Sequence, residues 1–140
     1  MPSSPVVFLV IAIVAVGILA LLAMTLTGRH AHTFDVEEYQ TRWLKIENGL
    51  VRDDPRTYSI AVINADKLLD RALNELALPG KTMGERLKRV ADRFEKPGSV
   101  WAAHKLRNQI AHIDDFEVEY GQANRALAAF RQALKDLGAI

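Results

Sequence analysis

The sequence predicts an all-α protein, an N-terminal transmembrane helix followed by a four- to five-helix antiparallel bundle. Three observations lead there. Residues Val6 to Leu26 (VVFLVIAIVAVGILALLAMTL) carry no charge, and Thr25 is their one strongly polar side chain. From Phe34 onward apolar residues recur at three- and four-residue spacing, with no segment in the two-residue strand period. Capping residues, prolines and glycines cut that pattern into helix-length pieces.

The apolar run has 21 residues, about 31 Å as a helix and so matched to a bilayer core of about 30 Å. A cleaved signal peptide is the competing reading. It would need basic residues at the start and a shorter apolar core, whereas MPSSP has no Lys or Arg. An uncleaved anchor over residues 1–27 is therefore expected. Arg29 follows the run with His30 and His32 close behind, and no basic side chain precedes it. The positive-inside rule then favours a single-pass protein with a cytoplasmic C-terminal domain.

Residues 28–33 (GRHAHT) read as a polar linker, and residues 34–140 as one helical domain. A first helix over Asp35–Asn48 places Val36, Tyr39, Trp43, Ile46 and Leu50 on one stripe, with Gly49 at its stop. Asp54-Pro55 supplies an N-cap and a first-turn proline for a second helix reaching Ala77. Its wide apolar face contains Ile60, Ile63, Leu68, Leu69, Leu73 and Leu76, and Leu78-Pro79-Gly80 breaks it. Thr82-Met83-Gly84-Glu85 fits a capping box that opens a third helix to Phe94, with Leu87, Val90, Ala91 and Phe94 inward. After Lys96-Pro97-Gly98, Ser99 is expected to cap a fourth helix. The fifth, Val118–Leu137, buries Tyr120, Ala123, Leu127, Phe130, Leu134 and Leu137 and stops at Gly138. Trp43 and Trp101 fall at inward positions.

Composition narrows the chemistry. With no cysteine, disulfides, thiolate zinc sites and thiol nucleophiles are excluded. All 18 Lys and Arg and all 17 Asp and Glu follow the apolar run, so no global basic field gathers nucleic acid. Any polyanion would need a local patch, and Lys81, Arg86, Lys88, Arg89 and Arg93 offer one on the third helix. His30 and His32 with Asp35 are too few ligands for a metal site. Phosphate-binding loops, dinucleotide turns and nucleophile elbows have no counterpart in the sequence, and no cofactor is expected.

The informative stretch is WAAHKLRNQIAH, residues 101–112. On a helix His104, Asn108 and His112 form one polar line at four-residue spacing, with Arg107 on its flank. Leu106 and Ile110 make the buried line. Arg107 and His112 are five apart, about 140° around a regular helix. To serve one pocket they need either a helix that ends or loosens near Ala111 or a site shared by two subunits. Arg and His suit metal-independent cleavage of RNA. Imidazole can take a proton from a 2′-hydroxyl, and a guanidinium can meet the charge that builds on phosphorus. Acid and base are both needed, and a two-fold dimer would bring in the second histidine.

Arg107-Asn108-Gln109-Ile110-Ala111-His112 resembles the R-x-x-x-x-H motif, with a polar residue after the arginine, of the HEPN superfamily. The likeness spans Phe34 to Ile140. It implies a compact bundle of four to five helices and, in many members, a metal-independent endoribonuclease whose site forms at a dimer interface. By position it implies Arg107 and His112 as catalytic and Asn108 as the polar assistant. Asp114, Asp115, Glu117 and Glu119 set negative charge at the same corner. That favours the alternative from another class, a non-catalytic, membrane-tethered interaction or regulatory module that docks a protein partner.

Overall fold

A computed structural model describes residues 5–27 and 33–140. The chain divides into two units, residues 1–32 and residues 33–140. The linker reading, Arg29, and the His30–His32 pair fall on residues 28–32 and lie outside the described residues.

The first unit is one helix, α1 (Pro5–Thr27). Over residues 7–22 its side chains are apolar on every side, and Phe8, Leu9, Ile13, Val16, Leu19 and Leu21 are each more than 60% exposed. Among the described residues no helix is long and apolar enough to cross a membrane.

The second unit is a helical bundle with no strand among its described residues: α2 (Val36–Gly49), α3 (Arg56–Glu75), α4 (Met83–Arg89), α5 (Pro97–His112) and α6 (Tyr120–Leu137). α3 and α6 form the central pair; α5 packs on both and α2 on α3. Glu38, near the start of α2, pairs at 2.8 Å with Arg71, near the end of α3, so these two helices run antiparallel. Tyr39, Val62, Leu69, Leu73, Phe130 and Leu134 are the fully buried centre. Phe130→Ala should cost about 3–5 kcal/mol through lost burial and an unfilled cavity, read as a lower urea midpoint at unchanged m-value.

Local chemistry sets the helix ends. Asp35 caps α2 by accepting the Glu38 N–H at 3.0 Å. Asp54 accepts the Arg56 N–H at 3.2 Å, and α3 begins one residue after Pro55. Thr82 accepts the Glu85 N–H at 3.2 Å, but Glu85 reaches past Thr82 to the Lys81 N–H at 2.7 Å. Only half of the expected box forms. α4 also ends early, at Arg89; a 3₁₀ turn over Ala91–Arg93 replaces the run to Phe94. Pro97, not Ser99, opens α5, with Lys96 as a cap that makes no side-chain bond. A capping box of Glu119 and Gln122 opens α6, and Gly138 ends it at φ 79°, a conformation favouring glycine.

Besides His104 of α5, four side chains depart from their expected faces. Val36 and Ile60 are 40% and 58% exposed because each lies on the flank of its stripe that no neighbouring helix covers. Trp101 is 43% exposed. Arg86, expected on the wet side of the third helix, is buried and donates to Asp70 at 2.6 Å and to the Gly80 carbonyl at 3.0 Å.

The α2–α3 ion pair makes a pH prediction. The Arg71 guanidinium, then Arg42, holds the Glu38 carboxyl below its ordinary 4.5. A lowered folded-state value gives stabilisation that is present above 4.5 and lost as pH falls through the folded-state value. Glu38→Gln should therefore weaken the fold at neutral pH and flatten the acid limb of a stability-against-pH curve below 4.5.

Candidate functional site

Residues 101–112 make up most of α5, which packs against both α3 and α6. Asp66 occupies the α3 line that also carries Val62, Leu69 and Leu73, so a carboxylate sits where periodicity calls for an apolar group. It is 3% exposed. Two α5 side chains answer that charge. His104 Nδ1 lies 2.8 Å from Asp66 Oδ1, and Arg107 Nε stands 3.2 Å from Asp66 Oδ2. The second contact is an ion pair whose N–H is not aligned for a hydrogen bond.

Asn108 closes the cluster. Its Oδ1 accepts from Arg107 Nη1 at 3.1 Å, and its Nδ2 lies 3.3 Å from His104 Nε2. Arg107 has only donors, which fixes the orientation of the Asn108 amide. The amide N–H then donates to His104 Nε2, and the ring's Nδ1–H donates to Asp66. One tautomer satisfies every partner, an assignment made from the network. Both ring nitrogens are engaged, so His104 acts as an orienting group rather than a free base.

His112 is elsewhere. α5 runs unbroken through it, and the Ile113 N–H still donates to the Gln109 carbonyl at 3.0 Å. The helix therefore does not loosen near Ala111. Within one chain Arg107 turns toward Asp66, while His112 is exposed about 140° further round. The expected polar line of His104, Asn108 and His112 is graded by depth: buried, half-buried and exposed. Beyond it Asp115 takes φ 56°, a left-handed conformation that Asp tolerates better than most residues, and Asp114, Asp115 and Glu117 are exposed.

Asp66 is the residue that sequence reasoning missed. Its signal was an acid in the apolar register of α3, but its partners are 38 and 41 residues away. A cavity of about 680 Å³ between α5 and α6, lined in part by Ser99, Ala102, Leu106, Arg125 and Gln132, contains neither Arg107 nor His112. Those α5 positions lie about 80–140° round the helix from His112. Among the described residues no group of three or more His, Asp or Glu could hold a metal ion, and Asp35 serves as a helix cap.

Chemically, one copy offers a guanidinium paired with a buried carboxylate and, separately, an exposed imidazole at a helix end. Compared with protein-family models, with curated proteins and with solved structures, the chain finds no match.

Proposed function

We propose that residues 33–140 are a HEPN-like domain acting on RNA, held at a membrane by α1, with metal-independent cleavage assembled between two copies of the chain. Arg107 and Asn108 would bind and polarise the phosphate, and His112 from each copy would supply base and acid. The observation that carries this reading is the clamp on Arg107. Asp66 pairs with its Nε at 3.2 Å and Asn108 accepts from its Nη1 at 3.1 Å, while His104 bridges Asp66 and Asn108. Apolar residues of similar volume would serve stability as well or better. A network of this kind is explained when the orientation of the arginine matters.

The same observation supports a second reading, a non-catalytic interaction module. Asp66 already neutralises Arg107, and the exposed acids after His112 oppose a polyanion. The discriminating experiment uses the full chain in detergent with labelled RNA in excess EDTA. Cleavage lost in both Arg107→Ala and His112→Ala, with helicity retained, supports the nuclease. Equal background in all three proteins supports the module.

The anchor rests on α1 being apolar on every side with its large side chains exposed, a surface that lipid would cover. Arg29, following the apolar run with no basic residue before it, would favour a cytoplasmic C-terminal domain, where RNA is present. Retention in alkaline-washed membranes, lost when residues 1–27 are deleted, checks the anchor. Protease protection of residues 33–140 in intact cells checks the side.

A further inference from the structure

In the cluster around Asp66, one planar amide serves two partners with opposite demands. Asn108 Oδ1 accepts from Arg107 Nη1 at 3.1 Å, and Asn108 Nδ2 lies 3.3 Å from His104 Nε2. A guanidinium can only donate, so the oxygen faces Arg107 and the amide N–H faces the ring. That arrangement holds only while Nε2 keeps its lone pair. Nδ1 is committed to Asp66 at 2.8 Å, so the ring cannot turn over without breaking that bond.

A second proton on this imidazole goes to Nε2. The new N–H then opposes an Asn108 N–H, two donors with their nitrogens 3.3 Å apart. Turning the amide by about 180° gives the ring its acceptor but sets Nδ2 against Arg107 Nη1, again donor against donor. The amide therefore cannot keep both contacts in their present geometry once the ring is charged. Asn108 and Arg107 are half-buried, so water can take the vacated place.

The charges facing the ring come from three helices. On α3, Asp66 is the acid bonded to it and shares its other oxygen with Arg107 Nε at 3.2 Å. Asp70, one turn along, is held by Arg86 of α4 at 2.6 Å, and Lys67 is exposed. α4 approaches through Gly84, where a Cβ would stand 3.9 Å from Nε2. Its Lys88 lies 5.6 Å from the Trp101 ring, which is itself 6.0 Å from the His104 ring, and its Glu85 accepts the Lys81 N–H. On α5 itself Lys105 and His112 are exposed.

We infer that His104, Asn108 and Arg107 form a proton-read relay: a neutral ring holds the guanidinium through the amide, and a protonated ring frees it from Asn108. The coupling stands on hydrogen-bond geometry. Its consequence for cleavage rests on the role proposed above for Arg107, and is a loss of aim in acid by a step separate from His112.

The test follows the full chain, labelled with nitrogen-15 in detergent, by NMR from about pH 8 to about pH 5, the range in which imidazole changes charge. At the upper end the His104 ring should carry its hydrogen on Nδ1. As it gains the second proton, the Arg107 side-chain N–H and Asn108 amide signals should shift with the same midpoint. In Asn108→Ala, His104 should still titrate while Arg107 no longer follows. In His112→Asn the coupling should persist. An Nε2–H tautomer at the upper end would overturn the relay. So would a titrating His104 beside an unmoved Arg107, an Arg107 that follows equally in Asn108→Ala, or a ring that stays neutral until the fold melts. Coupled signals in a protein that cleaves no RNA in EDTA would keep the relay and remove the nuclease reading. An unmoved Arg107 in a protein that does cleave would do the reverse.

Discussion

His112→Ala is expected to reduce EDTA-resistant RNA cleavage about 10²- to 10⁴-fold, the contribution of a positioned general acid or base, with little change in stability. Its side chain is exposed in the last turn of α5 and buries nothing. Arg107→Ala should lose about 10²- to 10³-fold, the scale for one charge-stabilising donor, but with some destabilisation, since it leaves Asp66 with one partner fewer. The two variants thus separate chemistry from folding. Mixing is the stronger check. If two imidazoles serve one site, equal amounts of wild type and His112→Ala, allowed to exchange subunits, should leave only about one quarter of dimers intact. Activity should then fall to about half of what the wild-type subunits give alone. Simple additivity would show that each chain works by itself, which the unbroken helix between Arg107 and His112 argues against.

Much of the bundle was legible because periodicity and caps are local. α6 shows this best: Ala123, Leu127, Phe130, Leu134 and Leu137 are buried as their spacing requires, and Gly138 ends the helix. The misplacements share one physical cause. Spacing identifies an apolar stripe but not which of its two flanks a neighbouring helix will cover. Ile60 and Trp101 lie on uncovered flanks, while Arg86 lies on a covered one and found Asp70. The third helix stopped early because Val90 leaves helical geometry (φ −115°, ψ 13°) while remaining buried. Packing held the side chain inside at the expense of the helix. Arg107 and Asn108 stand in the Asp66 cluster and could be read from one segment, whereas His112 lies apart from it. The carboxylate that pairs with Arg107 and His104 could not be read that way, because pairing Asp66 with α5 is a tertiary event with no local signature.

Asp66→Ala should be among the most damaging single changes in the bundle, at about 2–3 kcal/mol, as expected when buried donors lose their charged partner. For a domain of this size that is a fall in Tm of about 10–20 °C. The full cost of a broken buried ion pair is not expected. Arg107 is 30% exposed and already meets water on one side. Asp66→Asn should cost roughly half as much, because its side-chain oxygen still accepts the His104 Nδ1–H while the charge opposite Arg107 is gone. The decisive variant replaces the cluster with apolar residues, Asp66→Leu with His104→Leu and Arg107→Met. Exchanging a buried ionic network for well-packed apolar side chains is commonly neutral or stabilising, so urea unfolding should return to the wild-type midpoint or above. RNA cleavage and binding should nonetheless be lost. Apolar replacement that restores stability and preserves both activities would make the cluster a packing solution. Restored stability with silent chemistry would mean that the fold tolerates its buried charge because Arg107 must be aimed.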